Sequence, residues 1–382
     1  MKSLFWILLV LSIFSYFLYP LILRCILVAK TKSICPPQTT RMENLPFITL
    51  IVTAYNEENR IEDKIANTLK LEYPSGKLRL IVASDCSTDR TDDIVNGYSS
   101  QNVTLVRAKE RLGKENAQLT ALKTVEQGII VFSDTATQIE QDGLLKLASY
   151  FNEPNIGAIS SEDRFISKTG NIAGEGAYVK YEMWLRRAES QLAGLVGLSG
   201  SFFAARKEVC QEWDIHSPSD FNTALNCKRL GLKAVTADNV LGFYTDLSDP
   251  AKEYARKVRT VIRGMTALER HPDVLNPFKF GLFSFQVWGH KVLRWTVPWT
   301  LLALLLVTPF CIAQFYSIYT LALSGQVVFY GVALAAHFVP TLCKSGPIKL
   351  IYFFTQVNIA LFDASIKFFR GKRMTVWQPS AR

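Results

Sequence analysis

The sequence predicts an α/β fold, with a mostly parallel sheet flanked by helices, joined to membrane-spanning helices at both ends of the chain. Two apolar runs rich in β-branched residues, 47–53 and 78–83, enclose a segment with helical periodicity at 58–71. Unbroken apolar runs are typical of strands buried on both faces, and an intervening helix is the crossover that parallel strands require. Long apolar segments near the two ends of the 382-residue chain predict the membrane helices.

The alternation of strand and helix continues along the chain, which supports a single layered α/β domain. From about residue 170 the pattern changes, and a glycine-rich apolar stretch at 194–205 receives no assigned element. The other predicted strands are 103–107, 128–132, 156–161 and 233–237, and the other predicted helices are 90–98, 114–126, 140–151, 174–192, 221–230 and 250–270.

The segment Leu4–Val28 is almost wholly apolar and long enough to cross a bilayer. A cleaved signal peptide is the alternative, but the run exceeds the usual apolar core of a signal peptide, and no small-x-small cleavage site follows it. We therefore interpret it as an anchor. Two more apolar blocks, Thr296–Phe315 and Leu321–Pro340, predict C-terminal spans, and Leu350–Phe369 is a weaker third.

Basic residues flank the region between these spans, and positive charge beside a span marks its cytoplasmic side. Lys30, Lys32 and Arg41 follow the first span, and a basic tail follows the last apolar block. A cytoplasmic tail requires one C-terminal segment to be interfacial or re-entrant. The predicted domains are an anchor at 1–30, a cytoplasmic catalytic domain at 45–275, an interfacial segment at 276–295, a membrane region at 296–370 and a cytoplasmic tail at 371–382, with the protein in the inner or plasma membrane.

The formal net charge of +10 does not indicate a nucleic-acid partner, because no zinc spacing, RNA-binding aromatic signature or helix-turn-helix pattern accompanies it. Much of the excess lies beside the membrane segments, where it suits anionic lipid head groups. The seven cysteines are scattered without a C-x-x-C pair, which is typical of reduced residues in a cytoplasmic and membrane setting.

Four aspartates, Asp85, Asp89, Asp134 and Asp220, follow predicted strands or begin helices. Taken alone, such a residue is most often a helix cap, and Asp89 fits that role. Ligands of open α/β sheets bind beyond the carboxyl ends of the strands, so four carboxylates at such positions predict a shared site. Carboxylate oxygens together with substrate phosphates are the usual ligands of Mg²⁺.

At these positions the chain resembles the family 2 glycosyltransferases, in particular the membrane-embedded hyaluronan, chitin, cellulose and poly-N-acetylglucosamine synthases. The resemblance covers about 45–275. It implies a GT-A fold, a nucleotide-sugar donor that is usually UDP-linked, Mg²⁺ or Mn²⁺, and inversion at the anomeric carbon. Its carriers are Thr-Ala-Tyr-Asn-Glu at 53–57, Asp-Cys-Ser-Thr-Asp at 85–89, Gly113-Lys114, Phe-Ser-Asp at 132–134, Gly-Leu-Ser-Gly-Ser at 197–201 and Ser219-Asp220.

The resemblance also implies roles for individual residues. Asp85 would bond the nucleotide base, Lys114 would approach the diphosphate, and Asp134 would begin the Asp-x-Asp metal motif. Asp220 would be the general base that deprotonates the acceptor hydroxyl, although its position at a helix start also suits an N-cap. Thr53, Tyr55 and Glu57 would complete the donor pocket, and Ser199, Gly200 and Ser201 would lie close to the acceptor.

Three departures from the family pattern bear on activity. Asp134 is followed by Thr135 and Ala136, so the second carboxylate of the metal motif is absent, and Ser219 replaces the Glu that usually precedes the base. The Gln-x-x-Arg-Trp motif of processive members is also absent. Near its expected place, Arg259 and Arg263 share one face of the helix 250–270 and would neutralise the diphosphate; a lipid-bound amphipathic helix is the alternative.

The sequence thus predicts a membrane-bound inverting glycosyltransferase that acts on a carbohydrate or lipid-linked acceptor in polysaccharide or glycan synthesis. Two alternatives stay open: transfer of a single sugar to a polyprenyl phosphate or other lipid, and an inactive nucleotide-binding subunit of a synthase complex.

Overall fold

A computed structural model describes residues 1–29, 45–166, 177–245, 250–313 and 317–375. The basic residues Lys30, Lys32 and Arg41 and the end of the tail at 376–382 lie outside the described residues. The chain divides into two compact units. One contains the sheet and comprises most of residues 45–245 with 266–284, and the other comprises residues 1–26, 250–265 and 285–373.

The first unit is built on one eight-stranded mixed sheet. Its strands are β1 Ile48–Ala54, β2 Leu78–Ser84, β3 Val103–Arg107, β4 Ile129–Asp134, β5 Gln138–Ile139, β6 Ile156–Ile166, β7 Phe202–Arg206 and β8 Lys233–Thr245. Their order across the sheet is β3-β2-β1-β4-β7-β6-β8-β5. Strands β3, β2, β1 and β4 run parallel, β7 is antiparallel to both of its neighbours, and β8 pairs parallel with β6 and antiparallel with β5. The predicted α/β class is therefore correct.

The sequence-based assignment is incomplete at four strands. It misses the two-residue strand β5 and also β7, which begins within the glycine-rich stretch, and it ends β6 and β8 too early. Beyond Ser160 the strand β6 carries polar residues, and it pairs with β8 only after a register shift. Apolar runs are the signal that reveals a buried strand, so a strand that continues through polar residues is not detected by that signal.

The sheet is buried on both faces, as the apolar runs predicted. Leu50 and Val52 of β1 belong to the hydrophobic cluster on one face, and Ile51 belongs to the cluster on the other. In the second cluster the ring of Phe132 stacks on those of Phe203 and Trp213, at centroid distances of 4.7 Å and 5.0 Å. The helices of this unit include Ile61–Leu69, Thr91–Asn96, Lys114–Leu122, Gly143–Tyr150, Ala177–Leu192 and Ser219–Arg229.

Within the described residues, three helices are long and apolar enough to cross a membrane: Lys2–Ala29, Leu282–Cys311 and Ile318–Phe338. The prediction of membrane helices near both ends of the chain is confirmed. The second of these helices begins at Leu282, within the segment 276–295 that the sequence assigned to the interface. Helix Gly346–Phe369 does not qualify as a span by the same criteria, and it buries the polar residues Asn358 and Ser365.

The unit of residues 1–26, 250–265 and 285–373 is called the membrane unit below. Within it, the basic helix Pro250–Arg270 packs its apolar side against helix Gly346–Phe369. Val258 and Ile262 form a buried cluster with Ala360 and Ala364. Protein therefore covers part of the apolar face that the amphipathic interpretation assigned to lipid.

Candidate active site

Three consecutive residues at the start of helix Lys114–Leu122 connect the predicted acidic positions. The Gly113 N–H donates to Asp85 Oδ1 at 3.1 Å. The Lys114 ammonium donates to Asp134 Oδ1 at 2.5 Å and to the Gly200 carbonyl at 2.9 Å. Glu115 Oε1 accepts from the N–H of Ser219, the residue before Asp220, at 3.4 Å. This segment, 113–115, is called the junction below.

Gly113 is required by the geometry of the junction. Its φ is 106°, in the left-handed region that residues with a Cβ rarely adopt, and it turns the chain into the helix directly after its contact with Asp85. A substitution at this position would strain the turn. Because Lys114 is the next residue, the strain would displace its ammonium group.

Asp85 follows β2 and is fully buried. Burial raises the pKa of its carboxyl group, against the opposing effect of the Gly113 N–H. Within the described residues Oδ2 has no hydrogen-bond partner, so a ligand N–H could be accepted there. Nearby, the guanidinium of Arg111 stacks on the ring of Tyr55, 3.8 Å from its centroid. These groups could hold a planar, hydrogen-bonding ligand such as a nucleotide base.

Asp134 ends β4 and has two lysines near its carboxylate. Lys114 bonds to it directly, whereas Lys64 lies wholly buried and donates to Ser133 Oγ at 2.8 Å and to the Thr137 carbonyl at 2.5 Å. Burial lowers the pKa of Lys64 to about 7, and attraction to Asp134 partly offsets this effect. Lys64 thus fixes the turn that carries Asp134.

Asp220 is the second residue of helix Ser219–Arg229, and Pro218 occupies the N-cap position. Its carboxylate faces Gly200: a Cβ added to that glycine would lie 3.6 Å from Asp220 Oδ2. Gly200 is exposed, and its carbonyl accepts from Lys114. Lys114, the candidate for binding the diphosphate, and Asp220, the candidate base, therefore both lie next to the exposed Gly200.

Ser199 and Ser201 are buried, and their hydroxyls donate to Asp163 rather than into open space. Sequence analysis missed Asp163, as it missed Lys64, Glu115 and Arg111. The one available signal for Asp163 was the polar run Ser-Ser-Glu-Asp at 160–163, which directly follows a buried strand.

Several predicted residues have other contacts. Thr53 is buried, and its carbonyl accepts from the Thr135 hydroxyl. Glu57 is paired with Arg60, the N-cap residue of the following helix. Asp89 accepts from the N–H and hydroxyl of Thr91 at a helix start, one residue before Arg90, which occupies the N-cap position. Arg259 and Arg263 belong to the membrane unit, and their predicted role stays a prediction.

The donor atoms fit a divalent cation only if it arrives with a substrate. Among the described residues, no group of three or more His, Cys, Asp or Glu side chains could hold a metal ion. Position 136 is alanine, but the Asp134 side chain is 27% exposed and has a hard oxygen donor. Mg²⁺ is often held by one or two carboxylates plus substrate phosphates, so Asp134 suits a cation bound to a diphosphate.

Comparison with known proteins agrees with this geometry. The model of glycosyl transferase family 2 matches residues 49–213, from β1 to the tryptophan that stacks on Phe132. Over these residues the chain is similar to the family 2 glycosyltransferases. The resemblance found in the sequence motifs is thereby confirmed.

Two relatives illustrate the range of the family. A beta-monoglucosyldiacylglycerol synthase of Nostoc is 27% identical over 186 residues, which are 46% of this chain and 40% of that protein. A poly-beta-1,6-N-acetyl-D-glucosamine synthase of Staphylococcus aureus is 28% identical over 182 residues, 45% of this chain and 43% of that protein. The match spans about two fifths of the length of each relative.

A solved structure matches nearly the whole chain. The mannosyltransferase PcManGT from Pyrobaculum calidifontis, in complex with GDP-Man and Mn²⁺, superposes with a TM-score of 0.73 and 23% identity. The superposition covers 97% of this chain and 99% of that one. The predicted GT-A fold with terminal membrane helices is therefore confirmed.

Proposed function

We propose that this protein is an inverting glycosyltransferase that moves a sugar from a nucleoside-diphosphate donor to a hydroxyl group at the membrane surface. The contact of Lys114 with both Asp134 and Gly200, beside the Asp220 carboxylate, carries this proposal. The Lys114 ammonium can stabilise a leaving diphosphate, and the Asp220 carboxylate, on the other side of Gly200, can take the proton of an acceptor. The match to the family 2 model supports this assignment.

On the donor side, Asp85 would accept a hydrogen bond from an N–H of the nucleotide base, with Tyr55 and Arg111 beside it. A uracil base, as in a UDP-sugar, offers one such N–H; a guanine base offers more. Lys114 would turn from Asp134 to the diphosphate, since phosphate oxygens are strong acceptors for an ammonium. When a divalent cation is bound with the diphosphate, it supplies positive charge beside the leaving group, and Asp134 would hold it.

The transfer itself needs one base. The acceptor hydroxyl gives its proton to Asp220, and its oxygen forms a bond to the anomeric carbon. The bond from that carbon to the diphosphate oxygen breaks, and the nucleoside diphosphate leaves with the electron pair. Lys114 stabilises the negative charge that develops on the leaving oxygen. A single displacement inverts the anomeric centre and forms no covalent enzyme intermediate.

For the membrane arrangement, we propose that the catalytic region 45–275 lies on the cytoplasmic side, as its basic flanks indicate. Three spans with an interfacial helix Gly346–Phe369 would also leave the basic tail inside. The acceptor would be a carbohydrate or a lipid at this surface. One relative is named for a glycolipid and the other for a polysaccharide, so product length is the measurement that separates single transfer from polymerisation.

The test uses the purified full-length protein in detergent. A panel of UDP- and GDP-sugars is screened first for thermal stabilisation, because a ligand that binds only the native state raises apparent stability. The stabilising sugar, radiolabelled, is then incubated with lipid and oligosaccharide extracts. Transfer of label, abolished in Asp85→Ala through lost donor binding, is the expected result. Binding without transfer would favour the inactive-subunit alternative, and stabilisation by none of the nucleotides would contradict the proposed donor site.

A further inference from the structure

Asp163 lies at the centre of a closed hydrogen-bonded set beside the proposed active site. Its Oδ2 accepts from Ser199 Oγ at 2.7 Å, and its Oδ1 accepts from Ser201 Oγ at 2.7 Å. The two serine oxygens are 2.9 Å apart. Both serines are buried, whereas Gly200 between them is exposed.

The set contains four short oxygen–oxygen contacts, because Ser199 Oγ also lies 2.8 Å from Asp163 Oδ1. The two serine hydroxyls supply only two protons to these contacts, because each serine carries one O–H. A protonated Asp163 would supply a third. Burial and the neighbouring charge of Asp134 both raise the pKa of Asp163, while the serine hydroxyls and the charge of Arg186 lower it. An asparagine could complete the same set, since its amide both donates and accepts.

The turn that Asp163 holds, Ser199–Ser201, touches the catalytic candidates on both sides. The Ser201 carbonyl accepts from the Asp134 N–H at 2.9 Å. The Gly200 carbonyl accepts from the Lys114 ammonium, and its α-carbon faces the Asp220 carboxylate. A shift of this turn would therefore move the groups assigned to the leaving diphosphate and to the acceptor at once.

The backbone hydrogen bond between Asp134 and Ser201 holds the end of the turn, and the side chains of Ser160 and Arg186 hold its start. Ser160 Oγ accepts from the Ser199 N–H at 2.7 Å and from Arg186 Nη2 at 2.7 Å, and Arg186 also donates to the Gly197 carbonyl. These contacts fix the residues up to 199. The side chains of Ser199 and Ser201 are joined to each other through Asp163, which spans Gly200.

We propose that Asp163 is a positioning residue for sugar transfer, which sets the Ser199–Ser201 turn so that Lys114 and Asp220 lie on either side of Gly200. This inference rests on the proposed function. It assigns no contact with substrate to Asp163, which accepts from the two buried serines of the turn and, at 3.5 Å, from Ser161 Oγ. The expected consequence of losing it is slower transfer rather than weaker binding, since leaving-group charge and proton removal develop in the transition state.

The test compares Asp163→Ala, Asp163→Asn and the double variant Ser199→Ala/Ser201→Ala in the full-length protein, with Glu162→Gln as matched control. Glu162 is the adjacent acid on β6, and it pairs with Arg164 and Arg187 rather than with the turn. We expect kcat to fall about tenfold or more in Asp163→Ala and in the double variant, with donor KM within about threefold. Asp163→Asn should stay within about threefold of wild type in kcat.

A second measurement separates positioning from packing. Combined with Lys114→Met, Asp163→Ala should add little further loss of kcat, because residues that act through one another are not additive. If the fold-losses of kcat from Asp163→Ala and Lys114→Met multiply in the combined variant, the proposal is overturned. A wild-type kcat in correctly folded Asp163→Ala, or in the Ser199→Ala/Ser201→Ala variant, would overturn it as well. Should Asp163→Ala fail to fold, the serine double variant decides alone. A wild-type protein that transfers no sugar would instead contradict the proposed function.

Discussion

The buried lysine Lys64 predicts a pH dependence of stability that can be calculated. Its side chain is fully buried, and the ammonium donates hydrogen bonds to Ser133 Oγ and to the Thr137 carbonyl. Burial lowers its pKa from 10.5 to about 7. A lysine in the unfolded chain keeps the higher value, so the two states bind the proton differently over this range.

The sign follows from which state holds more protons. Between pH 7 and 10.5 the unfolded chain retains the Lys64 proton and the folded chain has largely lost it. Stability therefore rises with pH across that window, and below it the full penalty of the buried charge applies. At ~1.36 kcal/mol for each pH unit, and with the folded group half-titrated at the start, the gain from pH 7 to 9 is about 2 kcal/mol.

The assay is unfolding of the full-length protein in detergent at pH 6 to 9, with wild type, Lys64→Met and Lys70→Met. Methionine fills a similar volume without charge, and Lys70 is an exposed lysine next to the same helix. We expect Lys64→Met to lose the rise in unfolding free energy above pH 7, while Lys70→Met follows wild type. Equal slopes in all three proteins would refute the reasoning, because shared titrations cancel in this comparison.

Three further substitutions test the site. Lys114→Met should weaken UDP or GDP binding about tenfold or more by calorimetry, because it removes the ammonium assigned to the diphosphate; unchanged affinity would remove Lys114 from donor binding. Gly200→Ala should fold normally, since the added Cβ lies at an ordinary contact distance of 3.6 Å from Asp220 Oδ2. It should raise the acceptor KM severalfold because the methyl group crowds that carboxylate. An unchanged acceptor KM would place the acceptor elsewhere. Ala136→Asp should bring half-maximal stimulation by Mn²⁺ to a lower concentration by adding an oxygen ligand, and an unaltered Mn²⁺ response would argue against a cation beside Asp134.

The parallel half of the sheet and its acidic strand ends could be predicted because their signals are local. The runs that form β1, β2 and β4 are continuous, apolar and rich in β-branched residues, and Asp85 and Asp134 stand where β2 and β4 end. The contact of Asp89 with the start of the following helix is local in the same way, since its partner Thr91 is two residues away.

The parts that could not be predicted depend on contacts between distant segments. Asp163 acquires its place from serines 36 and 38 residues away, and Lys64 reaches acceptors 69 and 73 residues away. A lysine on a helix is normally exposed, so the sequence pattern around Lys64 does not indicate that its side chain is buried. Strand β7 was concealed because glycine and serine lower the strand tendency of the stretch that precedes it.

The assignment of Asp220 as the base is tested most directly by measuring sugar transfer and nucleotide affinity together in Asp220→Asn. Asp142→Asn, at an exposed acid paired with Lys146, is the matched control. The proposed mechanism predicts that Asp220→Asn abolishes transfer while nucleotide affinity stays within about threefold of wild type, and that the control retains both. Transfer by Asp220→Asn at the wild-type rate would contradict it.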